Sequence, residues 1–300
     1  MVPEKPTGGT SSAPQPGSAM RVREIWRHPV KSMAGERLPA TELAEDGVPG
    51  DRGWAVRDER RGGIRGAKKI PALMQLAARC VEEPAPGRWP APEITLPDGS
   101  TVRADAPDAA ARVSAALGTP VTLWPRLPAS ARDHYRRGAP DHPDLLSELR
   151  AIFGREPDEP LPDLSQFPPE LLEFESPLGT YFDAHPLLLL SEASLRRLQE
   201  LAPASRVDVR RFRPNLVIAG TDEGFPEQGW IGRRLAVGTA ELEVLVGCPR
   251  CVMITHPFAD LPRDPGLLRT VVKEANQNVG VYARVTKPGR VAVGDPVRLL

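Results

Sequence analysis

Membrane-length apolar runs are missing from this sequence. The longest, Leu187-Leu188-Leu189-Leu190, is far short of the ~20 residues that span a bilayer as a helix and suits a buried strand. Net charge is missing too. With 39 Lys and Arg against 39 Asp and Glu, no global field draws nucleic acid or anionic lipid, and neither is expected as a partner. Cysteines number three, an odd count, and no charged-then-apolar signal segment precedes the first structured run. That excludes a paired disulfide framework and points to a reducing, cytoplasmic compartment. Aromatics are only 5% of residues, whereas 35 Pro and 26 Gly are plentiful. Many turns and few long helices follow, so a β-rich architecture is favoured over a bundle. The length allows one large domain or two modest ones.

Residues 1–19 are Pro, Gly, Ser and Thr with little to bury, and are expected to be a disordered tail. Met20 stands directly before the first structured run and is read as the functional start, or the tail as dispensable. Residues 20–124 read as a module of short strands: Arg21 to Trp26, Glu36 to Leu43, Trp54 to Val56, Leu73 to Val81, and a hairpin around Pro97-Asp98-Gly99. A helix from Pro107 to Leu117 is closed by Gly118, and Val121 to Trp124 is a last strand. Residues 125–179 are Pro-rich, with one helix at Asp144–Phe153. The stretch is too long for an ordinary connection, so it is either a poorly ordered connector or a lid. A lid would bring some of Arg132, Arg136 and Arg137 over a bound anion. Residues 180–300 alternate strands with helices at Glu192–Leu201, capped by Ser191, and at Leu267–Asn276. Val207 to Arg213 reads as extended and Val252 to Thr255 as a strand. The fold class is mixed, β-rich α+β, with a closed or nearly closed barrel.

The chain is organised around Cys248-Pro249-Arg250-Cys251, which reads as a turn between strands. Arg250 beside Cys251 favours the thiolate, the form that binds soft metals. Four readings of the turn stand: two half-buried cysteines at a barrel rim, a redox pair of the kind that opens a helix, half of a structural zinc site, and one thiolate bound to a cofactor metal. The zinc reading lacks a second ligand pair in the sequence. The last needs anion-binding groups elsewhere. Three basic clusters at turns supply candidates: Lys31-Ser32 after the stiffened His28-Pro29, Arg52 in a Gly-flanked turn, and Arg211 with Arg213 around Phe212. Arg forks match phosphate and planar amide edges, and Asn215 offers both donor and acceptor edges to a heterocycle.

These residues resemble a known family. His28-Pro29-Val30-Lys31-Ser32-Met33 with Gly35, followed by Gly50-Asp51-Arg52, is similar to the N-terminal β-barrel module that precedes MOSC domains. Ser191 to Leu195, Arg211-Phe212-Arg213-Pro214-Asn215-Leu216-Val217, Cys248-Pro249-Arg250-Cys251 and Val293-Gly294-Asp295-Pro296-Val297 resemble the MOSC domain itself. The resemblance covers roughly residues 20–124 and 180–300. It implies a MOSC β-barrel with interspersed helices and a molybdenum cofactor, molybdopterin with its metal, in a cleft between the modules. It implies Cys251 as catalytic metal ligand, with Pro249 and Arg250 contacting the cofactor beside it. It further implies Arg213, Asn215 and Asp183 on the pterin, and Lys31, Ser32 and Arg52 at its phosphate end. The implied activity is oxidoreduction of small N-hydroxylated substrates, as in amidoxime-reducing relatives. The alternative is a non-catalytic carrier of the cofactor or its sulfur. No ferredoxin-type cysteine set occurs, so electrons would come from a separate donor protein of ferredoxin, cytochrome or flavoprotein type. Two departures stand out. His256-Pro257-Phe258-Ala259-Asp260 replaces the family's acidic loop, and Gly66-Ala67-Lys68-Lys69 replaces a Gln-rich stretch.

Overall fold

Val22 and Ile25 turn inward on β1 (Arg21–Arg27) and start a core that the far end of the chain completes. The structure is a computed structural model and describes residues 19–300. The expected tail lies outside those residues except for its last position. The run expected as one strand from Glu36 to Leu43 is two. β2 (Glu36–Leu38) pairs with β1, while β3 (Ala40–Leu43) pairs elsewhere, because Pro39 between them has no N–H to carry a ladder onward. β4 (Trp54–Asp58) follows, then β5 (Ala77–Arg79), β6 (Glu93–Thr95) and β7 (Thr101–Arg103), the last three as a meander. Its hairpin turns where expected, with Gly99 at φ 84° and Asp98 accepting from the Ser100 amide at 2.9 Å. The alternation from Leu73 is a 3-10 turn, Pro71–Gln75, before it becomes a strand. Helix α1 (Ala109–Leu117) buries Val113 and Leu117 and stops at left-handed Gly118. β8 (Val121–Pro125) then pairs with β4. Met33, Val56, Leu73 and Ile94 pack this core, and Met253 and Phe258 reach into it from far along the chain.

The Pro-rich segment is an ordered strap, not a loose connector. It carries α2 (Arg132–Tyr135) and α3 (Leu145–Phe153), the latter N-capped by Asp144 and ended by left-handed Gly154. Tyr135, Phe174 and Tyr181 bury against Ala55 and Ile64. The Tyr181 hydroxyl donates to the Pro125 carbonyl at 2.8 Å. Arg65 pairs with Asp141 at 2.8 Å and Lys69 with Asp141 at 3.1 Å, and Lys69 also pairs with Glu148. Of the arginines expected over an anion, Arg132 and Arg136 face Glu173, and Arg137 pairs with Glu175 at 2.5 Å.

β9 (Leu187–Ser191) is buried throughout, and Ser191 caps α4 (Glu192–Leu201) by accepting from the Ala193 amide at 3.1 Å. The stretch expected as extended before Arg213 is a single helical turn, α5 (Val209–Phe212). Asp208 caps its start and Arg213 ends it in the left-handed region. Short capped turns of this kind leave little periodicity to read. β10 (Leu216–Ala219), β11 (Arg234–Val237) and β12 (Ala240–Pro249) follow. Val252–Thr255 is a 3-10 turn, not the expected strand. Its tight winding sends Met253 to the N-terminal core and Ile254 to the core beneath α6 (Pro265–Glu274). β13 (Asn278–Lys287), β14 (Gly289–Ala292) and β15 (Val297–Leu299) finish the chain.

The main sheet runs β15-β11-β12-β13-β9-β10-β1-β2. A bridge between Arg21 and Pro296, with the Val297 amide on the Met20 carbonyl at 2.8 Å, ties β1 back to β15. The ladder therefore closes on itself as a barrel, which leaves few exposed edges. The first strands of the chain complete the C-terminal barrel in space, and Leu43 and Val48 share its core with Leu189 and Val281.

Candidate functional site

A cavity of about 750 Å³ lies where the barrel, the N-terminal loops and the strap meet, within the range of small-molecule sites. Seven of the nine residues singled out from the sequence line it: Arg52, Asp183, Arg213, Asn215, Pro249, Arg250 and Cys251. The remaining two sit just behind. Lys31 is 4% exposed and donates to the Tyr181 carbonyl at 2.8 Å and to Asp183 at 3.1 Å. The Ser32 hydroxyl accepts from the Ala67 amide at 2.9 Å. These two shape the loop bearing Lys68 and do not reach the cavity.

Cys251 follows the end of β12 in extended conformation, and only the Ile254 amide, at 3.4 Å, returns to its carbonyl. Its neighbour Arg250 turns the other way. Arg250 donates to the Val279 carbonyl at 2.8 Å and the Phe212 carbonyl at 3.0 Å, and lies over the Phe212 ring. It acts electrostatically on Cys248, and Lys68 and Arg155 are the cations coupled to Cys251. Arg250 and Cys251 nonetheless line the same cavity. Burial pushes the Cys248 thiol up, which suits a neutral neighbour. The redox-pair reading loses its required helix, since a 3-10 turn follows. The zinc reading has no cluster of three or more His, Cys, Asp or Glu among the described residues.

Asp183 is the hub of the charged wall. Lys31 and Lys68 both approach the same oxygen at 3.1 Å. Burial opposes its charge, but these two cations and then Arg52 hold its carboxyl well below the usual range. Burial likewise opposes the Lys68 charge, yet Asp183 and then Cys251 keep its ammonium above the usual lysine value. Arg52 pairs with Asp51 and reaches the Arg213 carbonyl at 3.5 Å. Arg213 donates to the Met33 carbonyl at 2.5 Å and forms no salt bridge among the described residues. Burial first, and Arg52 second, push it down to about 9. Asp51 and Asp183 offset this only in part.

Three buried polar nitrogens on this cavity have no hydrogen-bond partner among the described residues: Arg213 Nη2, Arg250 Nη2 and His185 Nε2. An unsatisfied buried donor costs about 1–3 kcal/mol, so the two guanidinium groups are built to meet acceptors. Ser32 at φ 69°, Arg52 at 48° and Arg213 at 55° are three of the six left-handed non-glycine residues described. Each such residue costs roughly 1–2 kcal/mol, and strain of this kind gathers at functional sites. Asn215 is less free than its sequence suggested. Its Oδ1 accepts from the Leu188 amide at 3.0 Å and its Nδ2 donates weakly to the Trp26 carbonyl at 3.4 Å. Arg211 is structural, its buried fork holding the carbonyls of Ile254, His256 and Pro262 at 2.7–3.1 Å.

Sequence reasoning missed Arg155, His185 and Tyr282, and noted Lys68 only as a departure. Arg155 comes from the strap and is 6% exposed. It donates to the Arg250 carbonyl at 3.1 Å and to Gln277 at 3.1 Å, fixing the peptide before Cys251. Tyr282 faces Cys248, and burial raises its phenol well above the usual value. His185 packs beside it with ring centres 5.5 Å apart. The doubled lysines were the only signal available for any of these.

Comparison with known proteins bears on this site. Residues 179–298 match the model of the MOSC domain, and residues 19–118 match that of the MOSC N-terminal beta barrel domain. Mitochondrial amidoxime-reducing component 1 of Homo sapiens is 26% identical over 320 aligned positions, covering 93% of this chain and 82% of that protein. Mitochondrial amidoxime reducing component 2 of Bos taurus is 33% identical, over 39% of this chain and 38% of that protein. Molybdenum cofactor sulfurase of Neosartorya fischeri is 26% identical, over 81% of this chain and 34% of that protein. This chain therefore spans little more than a third of the last two relatives. No helix among the described residues is long and apolar enough to cross a membrane.

Proposed function

Because the chain is a MOSC protein, with a MOSC N-terminal beta barrel domain ahead of a MOSC domain, we propose that it binds a molybdenum cofactor and reduces small N-hydroxylated compounds. One observation carries this reading: a soft, cavity-lining thiol shares a single 750 Å³ space with two buried guanidinium groups, each with one nitrogen that lacks an acceptor among the described residues. Those residue types fit a pterin-borne metal, since a thiolate suits the metal and planar forks suit an anionic heterocycle. The relatives' names, amidoxime-reducing component and molybdenum cofactor sulfurase, support the same chemistry.

In this reading the bound cofactor supplies the two-electron chemistry. Cys251 is its metal ligand. Arg213 and Arg250 donate to the pterin, and Pro249 and Asn215 shape its seat. Arg52 and Lys68 face its phosphate end, with Lys31 and Ser32 behind them. Asp183 holds Lys31 and Lys68 in place. Arg155 is a positioning residue that fixes the carbonyl preceding Cys251. The domain boundaries near 124 and 180, a cytoplasmic setting that keeps Cys251 reduced, and a separate protein electron donor belong to the proposal.

The match to a molybdenum cofactor sulfurase favours a second reading, a non-catalytic carrier using the same pocket. Turnover separates the two. The metal-loaded chain, supplied with a chemical reductant, should convert benzamidoxime to benzamidine over many cycles. A chain that holds molybdenum yet never exceeds one turnover would establish the carrier reading instead.

A further inference from the structure

Arg155 apart, the strap plays no part in the chemistry described so far, and the face it turns to the cavity is mainly apolar. Leu149, Ile152 and Phe153 of α3, with Leu164, Phe167 and Leu171 beyond it, line the space. All six are only half-buried, and α3 has no fully buried side chain at all. An apolar helix stripe normally packs onto protein. This one faces a void, so its side chains lack partner atoms on that side and forgo dispersion contacts.

We propose that the strap makes the site selective for substrates whose N-hydroxylated group is carried on an apolar, preferably aromatic, body. The body lies against the strap while the polar head points toward the Cys251 side. The inference rests on the function proposed above and names its substrate class. Three observations support it. The two walls differ in kind, cationic around Arg213 and Arg250 and mainly apolar on the strap, where Arg137 is paired with Glu175 and Glu148 with Lys69, so a ligand spanning the space must itself have two unlike ends. Phe167 meets Tyr282 edge-on with ring centres 6.2 Å apart and His185 at 6.4 Å, a frame of rings that suits a flat aromatic group. The strap is also held firmly enough to discriminate by shape. Its start is tied by Arg65 and Lys69 to Asp141 and Glu148, and its middle by Arg155 to the carbonyl before Cys251. A small polar amidoxime would leave this wall facing water. A volume of about 150 Å³ already accepts benzene when its lining is apolar, so the cavity has room for a ring beside a polar head.

The test is equilibrium binding by calorimetry of benzamidoxime and acetamidoxime to the full chain, with kcat/KM for both measured in parallel. Benzamidoxime should bind at least about tenfold more tightly and show a correspondingly larger kcat/KM, the scale expected for filling an apolar pocket. Leu149→Asn and Phe167→Ala sit on different parts of the strap, so misfolding of one leaves the other informative. Each should shrink the benzamidoxime-to-acetamidoxime ratio by about tenfold. Equal affinities in the wild type, or a ratio that survives both substitutions, would overturn the proposal. The two layers fail separately. A chain without molybdenum overturns the functional reading, while the affinity ratio still decides this one. A metal-loaded enzyme indifferent to substrate body overturns this one and leaves the functional reading standing.

Discussion

Replacing Arg213 by glycine should make the cofactor-free protein more stable while depriving it of its cofactor. The residue sits at φ 55°, ψ 47°, is 7% exposed, and presents one nitrogen with no partner. Glycine removes the left-handed penalty, about 1 kcal/mol. It also removes a buried guanidinium held at about 9 instead of 12.5, whose charged form is disfavoured by on the order of 5 kcal/mol. Against this, the Met33 carbonyl loses its donor at 2.5 Å, costing about 1–3 kcal/mol, and glycine's freedom in the unfolded chain costs roughly 0.5–1 kcal/mol. The balance is a gain of about 2–4 kcal/mol, which raises Tm by several degrees in a chain of this size. Urea denaturation of protein made without cofactor checks the stability, and metal analysis of protein from a cofactor-sufficient host checks retention. A variant destabilised by more than about 1 kcal/mol would make Arg213 a structural cation. A variant that keeps its molybdenum would remove Arg213 from the binding set.

Asp183→Asn leaves the Lys31 and Lys68 ammonium groups without their shared carboxylate. At neutral pH it should cost on the order of 2 kcal/mol, discounted because Asp183 is partly exposed, read by denaturation at pH about 7. The lowered pKa of Asp183 means that its contribution is whole above the ordinary 3.8 and fades as pH falls from there through the depressed value, so wild type and variant should converge in acid. His28 is held well below 6.5 by burial, then by Arg213 and Arg52. Its neutral form contributes stability that is complete above that value and declines as pH drops through the depressed pKa. The denaturation midpoint should therefore fall as pH drops below about 6.5 in wild type, and fall less in His28→Gln. Arg155→Ala removes donors to three acceptors around the turn and should destabilise by about 2–3 kcal/mol, with faster loss of metal on dialysis.

The groups that converge on the cavity were largely legible one at a time, because each belongs to a type suited to anions or soft metals and sits at a turn. Cys251, Arg213 and Arg52 stood out in this way. Their neighbours did not. Arg250 is adjacent to Cys251 in sequence, yet strand geometry turns its side chain toward Phe212, while Lys68 and Arg155 arrive from loops about 180 and 100 residues away by the topology of closure. Val252 to Thr255 read as strand because Val, Ile and Thr favour strands, but two cores competing for Met253 and Ile254 wind it into a turn. Pro39 was visible, and its power to split the Glu36–Leu43 strand between two sheets was underweighted. The strap was the harder case. Its Pro-rich composition resembles that of disordered segments, and the three aromatics that anchor it, Tyr135, Phe174 and Tyr181, have no local periodicity.

The most direct test is molybdenum and pterin content per chain in the purified wild type, Cys248→Ala and Cys251→Ala proteins from one cofactor-sufficient host. The account predicts near-stoichiometric metal in the first two and essentially none in Cys251→Ala. Equal metal in Cys251→Ala and wild type would contradict it.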